Sequence, residues 1–303
     1  MKRLYTFLIS IVLLMVCRVA FSLPDGFYLP DSIKEMTLRY RAVHNLIVLP
    51  VTINDSMTVN LILDTGCRNL VLFGKKFRKL LQFPNNHAVQ FSGLGSGKPV
   101  NGNVSLYNKI AIHQVLGERI PVVVVPSKNL FRQYQNVDGV IGFELFLKFE
   151  IELDPSARTI KFRPAQHAST PDGFSIIPLR LVDLRPVMDS RITLEEESTL
   201  RYELMIDTGS NLGLLFKTTE IDQFEAPSRK QLIGYGFNGA ISGYQTSSES
   251  IHLDGLAMYD IPTGIIESPW HNYASIGMQI LKDYVVVINY YKLYAGFKRS
   301  LAG

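Results

Sequence analysis

Two aspartates, Asp64 and Asp207, each open an Asp-Thr-Gly triplet at the end of a short apolar run. The first sits in Asn60-Leu61-Ile62-Leu63-Asp64-Thr65-Gly66-Cys67, the second in Glu203-Leu204-Met205-Ile206-Asp207-Thr208-Gly209-Ser210. Two carboxyls brought together have a chemistry of their own. Like charges about 3 Å apart cannot both ionise, so such a pair holds one shared proton. Its ionised member can accept a proton from water while its protonated member donates one to a carbonyl oxygen. Hydrolysis of an unactivated amide without metal, Ser or Cys needs both actions at once. The neighbouring residues suit this use. Gly66 and Gly209 let the backbone turn sharply and approach a carboxylate. The hydroxyls of Thr65 and Thr208, placed in apolar surroundings, need partners, and a symmetric partner across the junction of two halves would supply them. Ser210 can add a hydroxyl donor to its own Asp, and Cys67 is a weaker donor at the matching position.

The elements that must position these residues come as a duplication. The two aspartates lie 143 positions apart, and apolar runs, Asn69 to Phe73 and Asn211 to Phe216, follow each triplet. Downstream, Gly93-Leu94-Gly95 with Gly102 matches Gly234-Tyr235-Gly236 with Gly243. Glycines at that density in β-rich sequence predict hairpins. A third landmark closes each half: Val140-Ile141-Gly142 before Phe149 to Asp154, and Ser275-Ile276-Gly277 before Tyr284 to Asn289. The fold is expected to be mainly β, with apolar segments of four to eight residues bounded by turn residues, such as Leu46 to Ile53, Ile120 to Val125 and Val285 to Ile288. Short helices are expected at Lys75 to Leu81 and after Gly142 and Gly277. The polar stretch Arg163 to Gly173 reads as the linker between halves. The expected division is a signal peptide over 1–22, a first lobe over 23–168 and a second over 169–303.

Composition narrows the rest. The chain has 303 residues, 47% apolar and 19% charged, which suits a globular protein with sizeable cores. Lys2 and Arg3 precede the apolar run Leu4 to Cys17, and Ala20-Phe21-Ser22 offers small residues for cleavage, so the N-terminus reads as an export signal. The protein is expected to be periplasmic or secreted, or membrane-anchored if residues 1–22 are kept. Without that segment 28 basic face 27 acidic side chains, which gives no electrostatic case for nucleic acid. Cys67 is then the one thiol and reads as a small buried filler. Glu195-Glu196-Glu197 reads as a solvated loop tip. The six histidines show no metal spacing, Gly93 to Pro99 lacks phosphate-loop spacing, and there is no Gly-x-Ser-x-Gly elbow.

On these residues both halves resemble the pepsin/retropepsin superfamily of aspartic proteases, closest to bacterial single-chain retropepsin-like proteases. The resemblance covers roughly Leu46 to Phe297. It implies two homologous lobes of closed β-barrel type with a cleft between them and one catalytic Asp from each, Asp64 and Asp207. It implies a psi-shaped loop around each Asp, with Thr65, Gly66, Thr208, Gly209 and Ser210 in support. It also implies flap hairpins that touch an extended polypeptide substrate through Gly93, Leu94, Gly95, Gly234, Tyr235 and Gly236. Neither flap is the single Tyr-bearing flap of pepsin, since Tyr235 lies in the second half opposite Leu94. No cofactor, metal or nucleic acid is expected, and a monomer should suffice because one chain supplies both aspartates. The contrasting expectation is a non-catalytic peptide-binding module that keeps the cleft.

Overall fold

A computed structural model describes residues 25–80, 87–91, 94–126, 134, 136–194, 198–219, 224, 229–268 and 273–300. The expected signal segment, Gly93 and the glutamate triplet 195–197 lie outside the described residues. No helix among those described is long and apolar enough to cross a membrane.

In the first half the strands are β1 (Gly26–Tyr28), β2 (Met36–Arg39), β3 (Arg41–Val43), β4 (Leu46–Ile53), β5 (Met57–Leu63), β6 (Leu70–Phe73), β7 (Ala88–Phe91), β8 (Val100–Ile112), β9 (Val115–Val125), β10 (Gly139–Ile141), β11 (Phe149–Asp154) and β12 (Thr159–Pro164). Helix α1 (Lys75–Leu80) follows β6, and α2 (Phe143–Lys148) joins β10 to β11. The second half holds β13 (Ser175–Pro178), β14 (Arg180–Val182), β15 (Arg185–Leu194), β16 (Thr199–Ile206), β17 (Leu214–Thr218), β18 (Gln231–Gly236), β19 (Gly239–Leu253), β20 (Leu256–Glu267), β21 (Tyr273–Ile276), β22 (Tyr284–Asn289) and β23 (Tyr294–Arg299), with α3 (Met278–Leu281) between β21 and β22. The three helices stand where short helices were expected, from Lys75 and after Gly142 and Gly277.

The two halves have one topology. In the first, the strand order is β9-β6-β10-β5-β4-β8-β7, and β8 also pairs with β9, closing a barrel. In the second the order is β20-β17-β21-β16-β15-β19-β18, closed by the pairing of β19 with β20. Each barrel places a short parallel strand, β10 or β21, between the Asp-bearing strand and the one after it. The interiors are apolar: Leu49, Val51, Leu61, Leu63 and Val124 in the first, Leu204, Ile206, Phe216 and Ile276 in the second, all at 0–1% exposure. Burial of side chains of this size stabilises by about 1.5–3 kcal/mol each.

A six-stranded antiparallel sheet, β13-β23-β22-β11-β12-β2, ties the lobes together. Its central pair is β11 with β22, one from each half, with Ile151 opposite Ile288. The architecture is thus the mainly β, two-lobed, pepsin-like one expected. The linker is shorter than the sequence suggests. Arg163 and Pro164 end β12, and the Arg163 guanidinium binds Glu35, Glu150 and Glu152 at 3.1, 2.7 and 2.6 Å. A residue that looks like polar linker is held as a strand because three carboxylates converge on it, one of them fully buried.

Candidate active site

Each Asp is delivered by the end of a barrel strand into a loop braced by the inserted parallel strand. Asp64 N–H donates to Ile141 O at 2.8 Å, and Asp207 N–H to Ile276 O at 2.9 Å. Behind them Cys67 N–H donates to Asp64 O at 3.1 Å and Ser210 N–H to Asp207 O at 3.2 Å. The loops pack so closely on the following turns that glycine is required there. A Cβ at Gly142 would lie 1.9 Å from Asp64 O, and one at Gly277 2.7 Å from Ser210 O.

The two loops are locked to each other through the threonines. Thr65 Oγ1 donates to Ile206 O at 2.7 Å and accepts from Thr208 N–H at 3.0 Å. Thr208 Oγ1 donates to Leu63 O at 2.9 Å and accepts from Thr65 N–H at 3.1 Å. Both side chains are fully buried. This reciprocal arrangement brings the carboxyls together. A Cβ at Gly66 would stand 3.1 Å from Asp64 Oδ1 and 3.8 Å from Asp207 Oδ1, and one at Gly209 would stand 2.3 Å from Asp64 Cγ. Gly66 N–H donates to Asp64 Oδ1 at 2.7 Å and Gly209 N–H to Asp207 Oδ1 at 3.2 Å.

The expected side-chain donors beside the aspartates are used otherwise. Ser210 Oγ accepts from Leu212 N–H at 3.2 Å, and its backbone N–H rather than its hydroxyl supports Asp207. The Cys67 thiol donates to Asn69 O at 3.0 Å. It is buried, and burial pushes the thiol well above its usual range. It therefore behaves as packing and not as a nucleophile.

Burial, then the charge of Asp207, pushes the Asp64 carboxyl above the usual carboxylate range. Burial raises Asp207 as well, but the influence next in size is the Lys217 ammonium, which holds it down. For Asp64 the Gly66 N–H and then Arg185 oppose the rise. A carboxyl raised in the folded state binds its proton more tightly there than in the unfolded chain. Its protonated form is free of penalty below pH about 3.8, and stability falls as pH rises from there toward the folded value. Asp64→Asn removes that penalty. The variant is expected to be more stable than wild type by about 1 kcal/mol or more at pH 7 and indistinguishable at pH 3. Denaturant melts at the two pH values check this, and equal stability at pH 7 would contradict the buried like-charge pair.

Two hairpins, one from each half, meet at their tips. In one, β18 and β19 meet through the two-residue turn Phe237-Asn238; in the other, β7 and β8 flank the tip that contains Leu94 and Gly95. The tips bond to each other: Ser96 N–H to Ala240 O at 3.0 Å, Gly97 N–H to Asn238 O at 2.5 Å, and Asn238 N–H to Leu94 O at 3.0 Å. They also reach the opposite lobes. Leu94 packs with Leu212 on a second-lobe cluster of Leu215, Ile233, Ile241 and Ile266, and the Phe237 ring stacks on Phe73 of the first lobe at 5.6 Å. Gly234, Tyr235 and Gly236 lie on β18, and the Tyr235 side chain is 55% exposed, outside that cluster.

Several residues near the aspartates were not singled out from sequence. Tyr290, buried behind the loops, donates its hydroxyl to Thr65 O at 3.4 Å and stacks on Phe146. Lys217 on β17 is 1% exposed; its Nζ donates to Ser275 Oγ at 3.0 Å and lies 4.2 Å from the centre of the Tyr273 ring. Lys217 directly follows the apolar run Leu214-Leu215-Phe216 on its strand, where the first half has only apolar residues in the corresponding strand, and that difference was the visible signal. Among the described residues no cluster of three or more His, Cys, Asp or Glu could hold a metal.

No curated protein matches the chain. Residues 49–145 match the family model described as aspartyl protease, a match that supports protease function in general terms. That match lies in the first lobe, and the second lobe repeats its topology around its own Asp-Thr-Gly, so in both halves the fold is similar to that of pepsin/retropepsin-type aspartic proteases.

Proposed function

We propose that the chain is an aspartic-type endopeptidase in which Asp64 and Asp207 act as one unit on a single water. The observation that carries this reading is the reciprocal threonine lock. It uses two buried hydroxyls and two backbone amides to hold two mutually repelling carboxyls together, and a repulsion that costs stability yet is built in points to a use for the pair. One carboxyl, ionised, takes a proton from the water as it attacks the scissile carbonyl; the other gives its proton to the carbonyl oxygen. The titration belongs to the pair. Substrate lies extended beneath the flaps, whose tips must part to admit it. The apolar cluster that receives Leu94 is the natural seat for a substrate side chain once the tip lifts. A single chain brings both aspartates, so the proposed enzyme works as a monomer without cofactor. The basic and apolar residues 1–22 support export as its destination.

The test is cleavage of a proteome-derived peptide library by the folded protein between pH 3 and 8, read by mass spectrometry. Internal cleavage with a recurring side-chain preference is expected. Absence of products at every pH would overturn the endopeptidase reading and leave a peptide-binding module.

A further inference from the structure

The two barrels superimpose in topology but differ beside the aspartates. In the first, Val71 of β6 lies opposite Val140 of β10. In the second, Leu215 of β17 lies opposite Ser275 of β21, and Lys217 opposite Tyr273. By this register Phe73 and Val140 of the first lobe correspond to Lys217 and Ser275 of the second. Residues two apart on a strand share a face, so Leu215, Lys217, Ser275 and Tyr273 line one patch. An apolar surface in one lobe is replaced in the other by a buried cation with its own hydroxyl partner.

We propose that Lys217 is a positioning residue of the aspartate pair: its ammonium, buried in the Asp207-bearing barrel and bonded to Ser275, the residue before the Ile276 whose carbonyl accepts the Asp207 N–H, fixes the negative charge on Asp207 and leaves the shared proton on Asp64. The inference rests on the proteolytic reading above and assigns its two roles, with Asp207 taking the proton from water and Asp64 donating to the carbonyl oxygen.

The charges around Lys217 agree with this. Asp207 and then Asp64 favour its charged form, opposed by burial and by Arg185 of β15. Burial brings the amine down to about 8, so it is mostly charged at pH 7. Arg185 is itself 3.8 Å from Asp183 of the β14–β15 turn. From β21, Ser275 supplies the hydrogen bond and Tyr273 its ring face, an attraction for a cation that persists in a desolvated site. On the other side β20 places Ile266 opposite Lys217, and the neighbouring Glu267 is held by Lys230 at 2.5 Å. Lys217 shares a barrel with Asp207, and Ser275, which holds the ammonium, lies beside β16, the strand that delivers Asp207, so Asp207 is the carboxylate that Lys217 serves. With one shared proton the buried group Asp64-H, Asp207⁻, Lys217⁺ carries no net charge, the least costly arrangement for an enclosed site.

The experiment compares wild type with Lys217→Met, an unbranched apolar replacement. Asp carbons are labelled with ¹³C, and Asp64 and Asp207 are assigned through their Asn variants. In wild type, Asp207 is expected to ionise first, at the lower pH. In Lys217→Met that first ionisation moves up by about one pH unit or more, the proton is shared more evenly, and the acid limb of kcat/KM moves up with it. Lys217→Arg restores the wild-type order. Ser275→Val, which removes the ammonium's hydroxyl partner, moves the titration in the same direction by less, and carries the test if Lys217→Met does not fold. An unmoved titration in these variants overturns the proposal. So does an unmoved pH profile together with a raised KM for substrates bearing an acidic side chain, which would make Lys217 a substrate anchor. If wild type cleaves nothing but the titration moves as stated, the proteolytic reading fails and the charge assignment stands. If wild type cleaves and the titration is unmoved, the converse holds.

Discussion

Asp64→Asn and Asp207→Asn each reduce kcat/KM for peptide cleavage by at least about 10⁴-fold. Asn matches Asp in size and keeps an oxygen to accept the Gly66 or Gly209 N–H that now meets each carboxylate, so the loops keep their shape. What it cannot do is exchange a proton. Since the proposed mechanism makes the aspartates one unit, the double variant is expected to be no slower than either single one, a non-additivity that independent sites would not show. The measurement is initial rate on the best library peptide, alongside circular dichroism and denaturant melts to establish that each variant is folded. Turnover within about tenfold of wild type in either folded variant would dismiss the shared-pair mechanism. Lys217 adds a distinction between the two. Asp64→Asn leaves Asp207 with its cation, whereas Asp207→Asn strands a buried ammonium beside a repelled neighbour. Asp207→Asn is therefore expected to be the less stable of the pair, for the reason that breaking a buried ion pair costs more than removing a surplus charge.

The duplication made the site legible in sequence. Asp64-Thr65-Gly66 and Asp207-Thr208-Gly209 announce themselves because the chemistry and the backbone both need those residue types, with glycine where a Cβ would strike a carboxylate. The strands Leu46–Ile53 and Tyr284–Asn289 were equally plain, being apolar runs between turn residues. Other features have no local signature. The turns His44-Asn45 and Asp183-Leu184 occupy matching places, before β4 and before β15, and all four residues take positive φ. Neither contains glycine, the usual sign of such a turn, and Leu184 is there because the sheet around it fixes the backbone. The six-stranded sheet that joins the lobes depends on β11 meeting β22 across more than a hundred residues of chain, a pairing that no local pattern encodes. Arg163 was misread for the same reason: its partner Glu35 is 128 positions away. Lys217 differs again. It was visible, but its meaning depends on burial and on which carboxyl it faces, and both are properties of the folded chain.

Thr65→Val is expected to destabilise the protein by about 2–5 kcal/mol, while Thr65→Ser costs about 1 kcal/mol or less. Valine has the shape of threonine without the hydroxyl. Its introduction removes the donor to Ile206 O and the acceptor for Thr208 N–H, two bonds made with the opposite lobe in a fully buried place. The stranded carbonyl and amide each carry the desolvation penalty of an unmet polar group, about 1–3 kcal/mol. Against a whole-protein stability of about 5–15 kcal/mol that is a large fraction. The symmetric change Thr208→Val strands Leu63 O and Thr65 N–H and should cost a similar amount. The double variant should cost less than the sum, since the threonines belong to one network. Urea midpoints for the four proteins measure this. Additive losses would show that the two threonines contribute independently, and a Thr65→Val variant as stable as wild type would show that the lobes are held by the six-stranded sheet alone. A sub-additive loss, with activity falling in Thr65→Val but kept in Thr65→Ser, would show instead that the lock which stabilises the junction is also what keeps the two carboxyls within reach of one water.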